Sequence, residues 1–257
     1  MFCSFASADI CYPQCCGDTA ELKLTNTKRT NKIKMDEQIF KEVDNYINNL
    51  FAVEDEHLKE VVPSLKESNM QHASISPNQG KFLQIVAKLC NAKRILEIGT
   101  LGGYSSIWLA RTLPADGQLI TIELDIKHAE IAKTNITKAG LQSKVDIRVG
   151  KALDILQQLE NENAEPFDMI FIDADKPPYT EYLHWAIRLS RQGTVIIADN
   201  VIRNGKVLDE NSSDQAVQGV QRFNETLAKC SDLTSTIIQT IGIKEYDGMA
   251  IAVVNRR

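Results

Sequence analysis

Apolar residues set the first pattern in the chain. Phe40, Val43, Ile47, Leu50 and Phe51 recur at helical spacing and predict an amphipathic helix over residues 36–51. A second helix is predicted over 55–67. A third opens at Ser76-Pro77, where serine suits the N-cap and proline the first helical position. From Arg94 the period changes. Short apolar runs (RILEI, QLITIE, VDIRV, FDMIFID, TVIIAD) alternate with helical stretches near 103–113, 126–139, 151–160, 178–190 and 214–229. Several runs are apolar at almost every position, as in a parallel sheet covered on both faces. The alternation predicts an α/β fold, a doubly wound sheet with helices on both sides. At the end, TSTIIQTIGI and GMAIAVV are separated only by KEYDG, too short for a helix, and predict an antiparallel hairpin closing the sheet.

Composition narrows the class. The 257 residues are 43% hydrophobic and 25% charged, with net charge −5, ordinary values for a globular protein. No apolar run approaches the length of a membrane span, and there is no Lys/Arg stripe. Neither a membrane nor a nucleic acid is therefore expected as a partner. Four of the six cysteines (Cys3, Cys11, Cys15, Cys16) fall in the first sixteen residues, without CxxC spacing or a neighbouring histidine. Cys90 and Cys230 are isolated. The body thus has no disulfide framework, which fits a reducing, cytoplasmic location. Residues 1–34 read as a disordered extension. Residues 35–257 read as one domain, with a helical cover over 35–75 and an α/β core over 76–257.

The stretch RILEIGTLGGYSS, residues 94–106, carries the first chemical signal. A strand ends in Glu97-Ile98-Gly99, and Gly102 and Gly103 precede a helix. Glycines permit a tight turn and close approach of a ligand to the backbone, at the edge of the sheet where such folds bind ligands. The spacing is not GxGxxG, and Glu97 would sit badly beside a pyrophosphate, so a cationic, phosphate-free ligand is expected. Glu123, at the end of the second strand, is suited to accept hydrogen bonds from ribose hydroxyls.

LEIGTLGGYSS, IDADK and ADN, in this order, resemble the class I S-adenosylmethionine-dependent O-methyltransferases. The resemblance is closest to the cation-dependent branch with caffeoyl-CoA and catechol O-methyltransferases and small bacterial relatives, and it covers roughly residues 35–254. It implies a Rossmann-like seven-stranded sheet with an antiparallel last strand, and a homodimer. It also implies that Ala73, Ile75, Glu97, Gly99, Gly103, Tyr104, Ser105, Glu123, Ala152, Asp173, Asp175 and Tyr182 surround S-adenosylmethionine. Glu123 would hold the ribose, Ala152 would lie near the adenine, and Asp175 would receive the methionine ammonium. Tyr104 and Ser105 open a helix whose free N–H groups suit the carboxylate.

FIDADK and IIADN end neighbouring strands, so Asp173, Asp199 and Asn200 can present three oxygen ligands to one divalent ion. Oxygen-only ligation selects a hard cation, Mg²⁺ or alternatively Mn²⁺ or Ca²⁺, and the resemblance assigns the metal to the same positions. Lys176 stands where the catechol enzymes place a candidate general base, so Lys176 and Asp173 are the candidate catalytic residues. The expected acceptor is a small phenol with adjacent hydroxyls. Two departures bear on it: Pro177-Pro178 replace polar residues of the caffeoyl-CoA enzymes, and Arg203 replaces the tryptophan of plant relatives in a loop bordering the acceptor pocket. The four histidines show no metal spacing and are given no role. The competing readings are a non-catalytic S-adenosylmethionine-binding protein and a nicotinamide oxidoreductase.

Overall fold

At four helices a side chain just ahead of the first turn accepts from one of the free N–H groups there: Asp55, Ser76, Asp125 and Asp214. The computed structural model describes residues 37–68, 70 and 73–255; the expectation of a disordered leader lies outside them. Helix α1 spans Glu37–Phe51, α2 Glu56–Glu67 and α3 Pro77–Leu89. Asp55 caps α2 by accepting from the Leu58 N–H at 3.1 Å. Ser76 caps α3 in a reciprocal box with Gln79: the Gln79 N–H donates to Ser76 Oγ, and the Ser76 N–H to Gln79 Oε1.

From there strands and helices alternate: β1 (Arg94–Ile98), α4 (Tyr104–Ala110), β2 (Gln118–Glu123), α5 (Ile126–Lys138), β3 (Val145–Val149), α6 (Ala152–Asn161), β4 (Phe167–Ile172), α7 (Tyr179–Arg188), β5 (Ser190–Asp199), α8 (Gln215–Lys229), β6 (Leu233–Gly242) and β7 (Glu245–Val254). The seven strands form one sheet in the order β3-β2-β1-β4-β5-β7-β6. β1 to β5 run parallel, and β7 pairs antiparallel with both β5 and β6. Every residue of β4 is buried, which explains its unbroken apolar run. Two apolar layers sandwich the sheet. One, including Leu156, Leu183 and Phe223, packs under α6, α7 and α8; the other, including Leu83, Trp108 and Ile136, packs under α3, α4 and α5.

Two boundaries differ from the sequence reading. β5 begins at Ser190, ahead of its apolar run, because Ser190 pairs with Phe167 across a bulge and Gly193 turns at φ +86°; the polar residues between carry no periodic signal. KEYDG is mostly strand, with only Ile243 and Lys244 between paired Gly242 and Glu245. The hairpin tip is fastened by the buried Asp44 of α1, which accepts from the Ile243 N–H at 3.0 Å. α1 is amphipathic as expected, but Ile39, Val43, Tyr46, Leu50 and Phe51 are exposed. Among the described residues, no helix is long and apolar enough to cross a membrane.

Candidate active site

A cavity of about 740 Å³ opens at the carboxyl edge of the parallel strands, a size that suits a cofactor or small ligand. It gathers most of the residues singled out in the sequence. Ala73, Ile75, Gly99, Tyr104, Ser105, Glu123, Ala152, Asp173, Asp175, Lys176, Tyr182 and Asn200 all line it. Glu97, Gly103 and Asp199 do not. Gly103 caps α4 at φ +83°, and the other two carboxyls are buried behind the wall.

At one end Glu123 is held rigidly. Its Oε2 accepts from the Leu101 N–H at 2.7 Å and the Thr100 N–H at 3.3 Å, and its Oε1 from the Asp125 N–H at 2.9 Å. The loop amides thus fix the carboxylate while leaving acceptor capacity toward the cavity. His128 Nδ1 lies 3.5 Å from Glu123 Oε1 and also lines the cavity. In the sequence this histidine has no metal spacing, and nothing local to it signals its place beside Glu123. Ser74 lines the same wall, with its buried Oγ lacking a hydrogen-bond partner, as expected of a wall that receives a polar ligand. Toward the other end, Tyr182 donates to Asp175 at 2.6 Å, and Tyr104 donates to Glu54, in the α1–α2 connection, at 2.7 Å. The described donors, acceptors and volume therefore fit S-adenosylmethionine.

Glu97 departs from its expected direct contact with the ligand. It is fully buried beneath the glycine loop, where its Oε2 accepts from Ser106 and Thr121 and its Oε1 has no partner. Burial raises its carboxyl from 4.5 to about 7, against the opposing hydroxyls of Ser105, Ser106 and Thr121. A carboxyl with a raised folded-state value contributes stability that is complete below its unfolded value and lost as the pH rises through the folded one. Glu97→Gln, which keeps the neutral shape, is therefore expected to be more stable than wild type near pH 8.5 by up to about 3 kcal/mol. The gap should close near pH 5. Thermal unfolding across that range checks this, and an unchanged gap would mean that the carboxyl does not titrate there.

At the chemical end, Ile172 pairs with Ala198, so Asp173 and Asp199 follow the last paired residues of adjacent parallel strands. Lys176 is buried, with Nζ 3.2 Å from Asp173 Oδ1, 2.5 Å from the Tyr179 hydroxyl and 3.3 Å from the Asp199 carbonyl. Asp199 Oδ1 accepts from the Asn200 N–H at 2.8 Å, and both of its carboxylate oxygens lie 3.4 Å from Gln79 Nε2. Burial first, and then Asp173, push the Asp199 carboxyl up to about 7, while Lys176 pulls the other way. Lys244, half-buried at the hairpin tip, feels both carboxylates; burial lowers its ammonium, and Asp173 and Asp199 oppose the shift. Among the described residues, no group of three or more His, Cys, Asp or Glu is placed to hold a metal, so the set requires the Asn200 carboxamide. Two neighbouring carboxylates and a carboxamide suit a hard dication. Gln79 and Tyr179 were not legible as site residues. Gln79 reads as an N-terminal helix residue, and Tyr179 as one more apolar position of α7.

Comparisons with known proteins agree with this geometry. The O-methyltransferase family matches residues 48–253. The catechol O-methyltransferase of Niastella koreensis is 62% identical over 220 residues, 86% of this chain and all of that protein. Among solved structures, the O-methyltransferase TomG from Streptomyces achromogenes, in complex with S-adenosylmethionine, superposes with a TM-score of 0.83 at 48% identity, covering 86% of this chain and 99% of that one. The Bacillus cereus O-methyltransferase, in complex with S-adenosylhomocysteine, gives 0.83 at 49% identity, covering 86% and 100%. With its sheet order and its strand-end cavity, the chain belongs to the O-methyltransferase family and is an S-adenosylmethionine-dependent enzyme.

Proposed function

We propose that this enzyme methylates one hydroxyl of a vicinal-dihydroxy aromatic, a catechol or caffeoyl-type small molecule, with a divalent cation held by Asp173, Asp199 and Asn200. The observation that carries this reading is the pair of aspartates at adjacent strand ends beside the cavity, with one buried lysine bonded to the Asp173 carboxylate and to the Asp199 backbone carbonyl. A hard dication, Mg²⁺ above all, supplies Lewis-acid polarisation of a phenol oxygen when bound. Lys176, as the free amine, would accept the phenol proton at Nζ, and the Tyr179 hydroxyl is hydrogen-bonded to that nitrogen. Glu123 orients the donor's ribose, and the loop at Gly99 brings backbone against it. Asp175, held on the cavity wall by the Tyr182 hydroxyl, receives the donor's ammonium. The exposed apolar face of α1 is the surface proposed for a homodimer.

The test is methyl transfer to a simple catechol, read by mass spectrometry. Turnover is expected with Mg²⁺, lost with EDTA and restored when Mg²⁺ is added back. Persistent turnover in EDTA would remove the dication from the mechanism. Binding of S-adenosylmethionine with no transfer to any catechol would favour a binding protein instead.

A further inference from the structure

Arg203 stands apart from the other cations on the cavity wall. Lys176 is ion-paired to Asp173, and Lys244, beyond the wall, is engaged by Asp173 and Asp199. Lys151 and His128 line the wall with Ala152 and Glu123, at the donor end. Arg203 lines the cavity with Asn200, and its Nε is buried without a hydrogen-bond acceptor. Among the described residues no carboxylate lies within 4 Å of its guanidinium. A buried donor left unmet next to an open cavity is an expensive arrangement unless a ligand meets it.

The backbone around it is fixed at some cost. Asn200, Arg203, Asn204 and Gly205 all have positive φ, at 59°, 55°, 55° and 78°. Three of these are not glycine, so the loop carries strain of a kind that persists where surrounding structure imposes it. Asp247 imposes it here: its Oδ1 accepts from the Ile202 and Arg203 N–H groups, each at 2.9 Å. Asn224 Nδ2 donates to the Val201 carbonyl at 2.9 Å, and Val201 is fully buried. The guanidinium therefore projects from a pre-set loop, three residues beyond the candidate metal ligand Asn200.

Resting on the catechol reading above, we infer that Arg203 receives a carboxylate carried on the acceptor's side chain, so that the preferred substrates are catechols with an anionic tail. The guanidinium fork matches a carboxylate in two parallel hydrogen bonds. The carboxylates nearby would otherwise repel such a tail, so Arg203 is what admits it.

The test compares caffeate with its methyl ester, which keeps the ring and adjacent hydroxyls but removes the charge. Wild type is expected to favour the acid in kcat/KM by about tenfold or more. Arg203→Met should collapse that ratio toward one, with the loss of acid turnover appearing mainly in KM. Arg203→Gln serves the same purpose if the methionine variant fails to fold. Equal use of acid and ester by wild type would overturn the inference. So would an equal loss for both substrates in the variants, which marks a structural role for the loop. If wild type methylates neither compound with Mg²⁺ present, the catechol reading itself falls, a result distinct from equal use of the two.

Discussion

Asp199→Ala should lower methyl transfer on the order of 10³-fold while leaving S-adenosylmethionine affinity within a few-fold of wild type. Asp199 is buried behind the cavity wall and touches no part of the surface assigned to the donor. Its carboxylate is met by Gln79 and by the Asn200 N–H, and it lies beside Asp173. Removing it takes away one of two anionic ligands for the dication and leaves Asp173 paired to Lys176. It also removes a buried carboxyl whose ionisation is unfavourable, which offsets part of the cost of leaving Gln79 Nε2 and the Asn200 N–H without that acceptor. Calorimetric titration with S-adenosylmethionine and turnover across a Mg²⁺ series separate the two effects. A variant whose turnover still rises with Mg²⁺ as in wild type would disprove the assigned ligand.

The second large effect is expected at Gly99. It has φ +103°, and a Cβ built there would lie 2.1 Å from the Asp173 carbonyl oxygen. The obstacle is backbone, which cannot swing aside as a side chain can. Gly99→Ala must therefore adopt a strained conformation and displace the start of the Asp173 loop. A loss of roughly 3 kcal/mol or more is expected, seen as a lower denaturant midpoint. Turnover measured below the transition should fall further than stability alone explains, because Asp173 moves with the displaced backbone. An unchanged midpoint would show that the loop can relax, contrary to the close approach described.

The succession of strands and helices and the terminal hairpin were legible in the sequence, because each leaves a local trace; much of the cavity wall was named only through the family resemblance. Apolar runs mark buried strands, and glycines and acids collect at their carboxyl ends. What was not legible depended on distance along the chain. Gln79 reaches Asp199 across 120 residues, and nothing local to either announces the contact. His128 looks like an ordinary helix residue until α5 sets it against Glu123. Glu97 misled for a different reason. A carboxylate two residues before a glycine loop looks like a ligand contact, but strand alternation turned it inward, against Thr121 of β2. The hairpin loop was overestimated because Glu245 and Asp247 are polar, although both continue the β6–β7 ladder and Asp247 turns its carboxylate onto the Ile202 and Arg203 N–H groups.

The pairing of β4 with β5 has a consequence for how such enzymes diversify. Ile172 opposite Ala198 fixes where the next residues fall, and adjacent strands lie about 4.8 Å apart. The separation of the two acidic anchors is thus inherited from the ladder, much as marks on a ruler are set by the ruler. The segments after them, Pro177-Pro178 on one side and residues 201–205 on the other, lie outside that ladder. If they border the acceptor, as proposed above, changes there would alter which molecule is accepted without moving the two aspartates.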